Sequence, residues 1–125
     1  MRKLLIGLVM GVFLISVVHA ADVLRPTGYE AITVDNTEGG KSLTVAKYFT
    51  AATSKVISDY AVITLETAPI RFTVDGTTVT STIGMPLLPY QSIVLKAYEE
   101  LKNFRAIRTG DNSGSIKITY YKLYR

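Results

Sequence analysis

The sequence predicts a mainly β protein, a small antiparallel β-sandwich of jelly-roll-like or Ig-like type with at most one short helix. Short runs of β-branched and apolar residues recur about every ten residues, separated by Gly, Pro, Asn and Asp, which is the rhythm of a sandwich or barrel. The runs at 61–66 and 115–124 alternate between two unlike faces, as half-buried strands do. The roughly 105 residues after position 20 are enough to bury one core.

The chain begins with the three parts of a secretory signal peptide. Two basic residues come first, an uncharged apolar run extends to Val18, and small residues lead to an expected cleavage site after Ala20. The apolar run has about 15 residues, fewer than the roughly 20 that a membrane-spanning helix needs, so a retained anchor is the less favoured alternative. We therefore expect a signal peptide at 1–20, a single β-sandwich domain at 21–125, and a periplasmic or secreted mature protein.

Turn-forming residues divide the mature chain into strands. Residues 35–40 are rich in turn formers, Asp75-Gly76 is a tight-turn dipeptide that we expect to close a hairpin, and residues 111–114 form the last turn. Between these turns the sequence predicts eight strands, at 30–34, 42–49, 61–66, 69–74, 77–82, 91–96, 104–109 and 115–124.

One segment favours a helix instead. Leu95, Tyr98 and Leu101 follow one another at a spacing of three, which suits a short helix between residues 95 and 104. A single short helix that links two strands is compatible with a sandwich. The class therefore stays mainly β.

The last predicted strand suggests a contact surface. Ile116, Ile118 and Tyr120 share one face of this strand, and the neighbouring residues share the other. We expect Tyr120, Tyr121 and Tyr124 to present phenol groups near the C-terminus, where an aromatic body with a polar tip suits a ligand or partner. The alternative is that these tyrosines lie at sheet edges with their hydroxyls in water, because tyrosine favours strands in any case.

The charged residues do not point to a particular class of partner. The leader removes Arg2 and Lys3 from the 14 Lys and Arg of the chain, which leaves 12 against 10 Asp and Glu. A balance so near neutral argues against a nucleic-acid partner, which needs a concentrated basic stripe. Arg105 and Arg108 remain candidate ligand or partner contacts within a local cluster that includes Lys96 and Lys102, although an ordinary solvated surface is the preferred interpretation of that cluster.

The residues needed for most catalytic sites are missing from the mature chain. Residues 21–125 contain no histidine and no cysteine, which excludes Ser-His-Asp and Cys-His nucleophiles and thiolate or imidazole metal sites. Glu66 and Asp75 flank a strand and would stand about 30 Å apart, too far for a glycosidase pair. The acidic turns 35–38 and 111–113 favour plain turns over calcium sites. We expect no enzyme activity, no metal and no cofactor.

Several segments resemble known proteins. The run from Glu66 to Phe72, the turn Asp75-Gly76-Thr77, the run Thr82 to Leu87, and Phe104 to Arg108 with Ile118-Thr119-Tyr120 resemble small β-sandwich proteins of tailed phages and prophages. The resemblance covers about half of the mature chain and implies a structural or virion-associated role. The signal peptide departs from this group and suggests a related domain recruited for the periplasm or cell exterior.

Three functions are compatible with these features. The leading hypothesis is a non-enzymatic exported structural or interaction module of phage-like origin that self-associates, since small all-β domains often protect their edges by pairing with copies. The second is a module that binds carbohydrate or another cell-surface ligand through exposed tyrosines. The third is a phage virion component. Expected partners are therefore further copies, envelope or virion proteins, or surface glycans.

Overall fold

The structure is a computed structural model that describes residues 22–124, so the predicted signal peptide lies outside the described residues. The prediction of a mainly β, antiparallel, sandwich-like fold with one short helix is confirmed for this part of the chain. The strands are β1 Val23–Val34, β2 Phe49–Thr50, β3 Lys55–Val56, β4 Tyr60–Leu65, β5 Ile70–Thr73, β6 Met85–Leu87, β7 Ser92–Leu95, β8 Arg105–Arg108 and β9 Gly114–Tyr124. The helix is α1 Tyr98–Asn103, and 3-10 turns lie at Val45–Lys47 and Ala51–Thr53.

The described residues form three antiparallel sheets. The largest has the strand order β1-β9-β4-β7, the second has the order β6-β5-β8, and β2 pairs with β3. The long strand β9 lies between β1 and β4, so the C-terminal strand organises the four-stranded sheet. A bulge between Pro26 and Gly28 shifts the register of β1 against β9. Proline and a bulge on an edge strand limit its pairing with other chains.

The core lies on the inner face of the four-stranded sheet, because its strands alternate buried and partly exposed residues. Ile63, Leu65 and Ile118 are completely buried there. The second sheet contributes Ile70 and Ala106 to the same cluster. The predicted alternation at 61–66 and 115–124 is therefore confirmed.

The short helix also follows the sequence prediction. It spans Tyr98–Asn103 and buries Leu101, while Tyr98 packs against the rings of Tyr48 and Phe49. Leu95 is buried at the end of β7, just before the helix. The spacing of three thus identified the residues that point into the core.

Two predicted strands are wrong. Residues 42–49 contain the 3-10 turn Val45–Lys47 and only the first residue of the short strand Phe49–Thr50. Leu43 and Tyr48 are both buried, and an extended chain does not place two residues at a spacing of five on one face. Residues 77–82 are a loop, so the prediction of a tight hairpin closed by Asp75-Gly76 is also wrong. There the carboxylate of Asp75 accepts the backbone N–H of Thr77, and β5 pairs instead with Met85–Leu87. Local side-chain bonds of this kind compete with strand pairing.

The first strand is longer than predicted. It begins at Val23 and not at residue 30, because β9 extends to Tyr124 and pairs with every added residue except Thr27, which lies in the bulge. Proline and glycine within Pro26-Thr27-Gly28 concealed this part of the strand from the sequence pattern.

Candidate functional site

The first predicted contact residue, Tyr120, is not on the surface. Its side chain is completely buried, and its hydroxyl donates to the carboxylate of Glu30. Burial, followed by the hydrogen bond to Glu30, raises the pKa of the phenol above its usual value. The expectation that Tyr120 presents its phenol to a ligand is therefore wrong, because this residue shares the inward face of β9 with Ile116 and Ile118.

The other two tyrosines of the predicted cluster are at least partly exposed. Tyr121 lies on the opposite side of the sheet, where its ring meets that of Tyr60 edge to face with centroids 5.9 Å apart. Tyr124 is 48% exposed, and the guanidinium carbon of Arg25 lies 5.0 Å from its ring centroid. The three predicted tyrosines therefore do not form one platform.

Tyr121 belongs to a wider surface, which we call the outer face: the side of the four-stranded sheet that points away from the core. Strand register arranges this face in rows across the sheet. Its middle row carries Tyr29 and Val94, which are 56% and 41% exposed. Its three central rows are Pro26, Tyr121 and Tyr60; then Tyr29, Thr119, Val62 and Val94; then Ala31, Lys117, Thr64 and Ser92. Beyond them lie Leu24 with Leu123 at one end and Thr33 with Ser115 at the other.

Seven of the eleven side chains in these rows are apolar or aromatic, and the other four are Thr119, Lys117, Thr64 and Ser92. Lys117 is the one ionisable lysine, arginine or carboxylate side chain in the three rows. Thr64 and Ser92 satisfy each other with a hydrogen bond of 2.7 Å across the strands. An exposed sheet face that carries tyrosines and few charges is typical of protein contact sites.

The two predicted arginines separate in the structure. The guanidinium of Arg105 donates to the carbonyls of Lys102 and Phe104, at 3.2 and 2.7 Å, and so caps the end of α1. Arg105 therefore stabilises the helix end, where carbonyl groups lack partners within the helix. Arg108, at the other end of β8, instead lines a surface groove.

This Arg108 groove has a volume of about 480 Å³. Three stretches of chain line it: the turn after β1, the loop before β6, and the end of β8. Val79 and Ile107 underlie the groove and are almost fully buried. The polar lining residues are Asn36, Glu38, Thr78, Thr80, Ser81, Arg108 and Thr109.

Close backbone packing brings these three stretches together. Lys41 and Ala106 exchange backbone hydrogen bonds of 2.7 and 3.0 Å, and the N–H of Arg108 donates to the carbonyl of Asp35. Gly40 has φ +85°, and a Cβ there would lie 2.5 Å from a methyl group of Val79. Only glycine combines this backbone conformation with such an approach.

Hydrogen bonds also fix the turn and the loop. Thr37 donates to the carboxylate of Asp35 from its hydroxyl and its N–H, and these bonds hold the pKa of Asp35 below its usual value. The guanidinium of Arg71 donates to the carbonyls of Ser81 and Gly84, at 3.1 and 2.7 Å. Both walls of the groove are thus held by partners outside its lining.

Comparison of the chain with family models, with curated proteins and with solved structures finds no match in any of the three.

Within residues 22–124, no three His, Cys, Asp or Glu side chains gather closely enough to hold a metal ion. In the same residues, no helix has the length and apolar character needed to cross a bilayer.

Sequence reasoning named Tyr121 and Arg108 as contacts but missed the rest of the outer face and of the groove. Both depend on register and loop packing, which residue order alone does not give. The neighbouring pair Gly39-Gly40 was a usable signal, since two glycines with positive φ mark a tight approach of chain segments. Tyr29 and Val94 gave no signal because their rows form only when β1, β9, β4 and β7 align.

Proposed function

We propose that this protein is a non-enzymatic, exported structural or interaction module that self-associates through its outer face. The observation that carries the proposal is the apolar, tyrosine-bearing outer face of the four-stranded sheet. Water contact with such a surface is unfavourable, and packing a second sheet against it removes that cost. The resemblance of several segments to small phage β-sandwich proteins supports the same structural role.

A second copy of the chain suits the outer face because its rows are complementary to one another. Bulky Tyr121 and Tyr60 lie on one side of the middle row, and small Ala31, Thr64 and Ser92 lie on the other. A two-fold axis along the middle row places the tyrosine row of one copy over the small row of the second. Isologous contacts of this kind are the commonest in soluble oligomers.

The single charge on the face also fits this arrangement. Lys117 lies in the small row, so the same two-fold axis brings its ammonium group towards the tyrosine rings of the second copy. A lysine over an aromatic ring gains roughly 0.5 to 2 kcal/mol, depending on how far it is desolvated. A charge in the centre of an apolar contact thereby acquires a partner.

The size of the face is adequate for a dimer. At about 3.3 Å per residue and about 4.8 Å between strands, its four strands present a projected area on the order of 500 Å². Accessible area exceeds projected area because side chains stand out from the sheet. The face therefore approaches the roughly 800 Å² that each partner buries in a standard interface.

Sedimentation velocity of the purified protein over a concentration series tests self-association. We compare the wild type with Val94→Lys, which adds a charge to the outer face, and with Val45→Lys as the matched control. Val45 is 55% exposed but lies in a 3-10 turn outside the sheet. We expect the wild type and Val45→Lys to form a dimer with the same dissociation constant. For Val94→Lys we expect the dissociation constant to be at least about ten-fold higher.

A wild type that stays monomeric at high concentration contradicts the proposal, as does equal weakening by both substitutions. Export is tested separately, by the intact mass of the protein recovered from cytoplasm, periplasm and medium. A species that begins at Ala21 outside the cytoplasm supports export. A full-length species that stays in the cytoplasm contradicts it.

A further inference from the structure

We propose that the Arg108 groove is a binding site for a saccharide that carries a carboxylate group. The groove is separate from the outer face, so this function is independent of self-association. Its volume of about 480 Å³ lies within the roughly 300 to 1,000 Å³ typical of small-molecule sites. A single sugar ring with part of a neighbour fits such a space.

Hydrogen-bonding groups dominate the side chains that a ligand can reach in this groove. Val79 and Ile107 lie beneath them and are almost fully buried, and the surrounding side chains are hydroxyls, an amide and two opposite charges. A sugar ring has the matching character, since its C–H groups tolerate apolar contact and its hydroxyls both donate and accept. A purely apolar ligand would leave the polar groups around the groove without partners, which is costly.

The two charges determine which saccharide fits best. Arg108 and Glu38 line the same groove, yet within residues 22–124 neither forms an ion pair. The guanidinium of Arg108 is a forked donor that suits a carboxylate, which it binds through two parallel hydrogen bonds. Glu38 can only accept, so it suits a hydroxyl of the same ligand. A phosphate lacks the hydroxyl donors and brings more negative charge towards Glu38.

Some side chains that line the groove already form hydrogen bonds within the protein, so fewer of them are available to a ligand. The hydroxyl of Thr80 accepts the N–H of Ile83 at 2.9 Å, and the hydroxyl of Thr109 donates to the carbonyl of Pro69 at 3.2 Å. In the described part of the chain, the side chains of Asn36, Thr78 and Ser81 form no such bonds. These three side chains, with Arg108 and Glu38, would therefore contact the ligand.

The site is largely formed before any ligand arrives. Gly40 fixes the turn against Val79 and Ala106, and Arg71 ties the facing loop through Ser81 and Gly84. Binding then costs little ordering of the chain, which favours affinity for a small ligand.

Amide chemical shifts in a two-dimensional NMR titration test the proposal with three probes. Glucuronic acid carries both the carboxylate and the hydroxyls, methyl glucoside lacks the carboxylate, and cyclohexanecarboxylate lacks the hydroxyls. We expect shifts confined to residues 36–39, 78–81 and 107–110, with glucuronic acid bound at least about ten-fold more tightly than either of the others.

Two charge-matched substitutions complete the test. Arg108→Gln should abolish the preference for glucuronic acid over methyl glucoside, whereas Lys55→Gln, which removes an exposed positive charge on β3, should keep it. The proposal is overturned if cyclohexanecarboxylate binds as tightly as glucuronic acid, which would indicate a simple anion site. It is also overturned if Arg108→Gln keeps the preference, or if no probe shifts the groove amides at millimolar concentration.

Discussion

The hydroxyl of Tyr120 on β9 donates a hydrogen bond to the carboxylate of Glu30 on β1, a residue 90 positions earlier in the chain. The same carboxylate accepts the hydroxyl of Thr44 at 2.6 Å. One side chain of the edge strand therefore joins the C-terminal strand to the segment that follows the first turn. A buried phenol is tolerated at this place because it has an acceptor that carries a charge.

Removing this hydroxyl should destabilise the protein. Tyr120→Phe leaves the ring packed but deletes a hydrogen bond to a charged group, so we expect the free energy of unfolding to fall by about 1.5 to 3 kcal/mol. Tyr121→Phe is the matched control, since its hydroxyl has no hydrogen-bond partner among residues 22–124, and it should change stability by less than about 0.5 kcal/mol. Urea unfolding followed by circular dichroism measures both. Equal losses in the two variants would contradict the role of Glu30.

The same pair predicts a dependence of stability on alkaline pH. Burial raises the pKa of Tyr120 above its unfolded value of about 10, so the folded state keeps a proton that the unfolded state loses above that pH. This contribution is fully present below pH 10. As pH rises further, the free energy of unfolding should fall by about 1.4 kcal/mol per pH unit for this phenol.

The measurement is urea unfolding between pH 8 and pH 11. The wild type should lose stability above pH 10 more steeply than Tyr120→Phe, and the two curves should run parallel below it. Curves that run parallel over the whole range would show that Tyr120 is not the responsible group. Tyr48→Phe is a useful companion, because burial also raises the pKa of Tyr48.

Alanine substitutions at two adjacent glycines distinguish the cost of backbone strain from the cost of steric overlap. Gly39 and Gly40 have φ values of +83° and +85°, but a Cβ at Gly39 meets nothing within 4 Å, whereas one at Gly40 lies 2.5 Å from Val79. Gly39→Ala should therefore cost about 1 to 2 kcal/mol from strain alone. Gly40→Ala adds overpacking and should cost about 2 to 4 kcal/mol. Thermal unfolding of the two variants provides the comparison, and similar losses would argue against the close packing at Gly40.

Arg71 should control the loop that forms one wall of the groove. Arg71→Met keeps the alkyl chain but removes the bonds to the carbonyls of Ser81 and Gly84. Amide hydrogen exchange in residues 77–84 should become faster, by roughly ten-fold or more, because each lost bond from a charged donor is worth about 1.5 to 3 kcal/mol.

The same variant links the loop to binding. Glucuronic acid should bind more weakly to Arg71→Met, while the dimer measured by sedimentation should not change, since Arg71 lies on β5 and outside the four-stranded sheet. Arg25→Gln, at the far end of β1, is the control for loss of a positive charge. Faster exchange throughout the protein, and not only in the loop, would indicate general destabilisation instead.

The amino-acid sequence by itself determined the class of fold and the elements with regular burial. The alternation at 61–66 and 115–124 and the spacing of Leu95, Tyr98 and Leu101 each repeat at the period of the structure that forms. Such patterns can be read locally. The buried face of a strand or helix must be apolar whichever other element packs against it. The absence of cysteine and histidine from residues 21–125 is equally independent of folding.

Only the tertiary structure decided which residues share a surface. It turned Tyr120 towards Glu30, separated Arg105 from Arg108, and made loops or turns of 42–49 and 77–82. The Tyr120 outcome depends on a partner 90 positions away, whereas Arg105 and the 77–82 loop also form bonds to groups close in sequence. The outer face needs the register of four strands, and the Arg108 groove needs three loops held together by bonds to other elements. Local pattern carries no information about such partners, because the energy that selects them arises only when the segments meet.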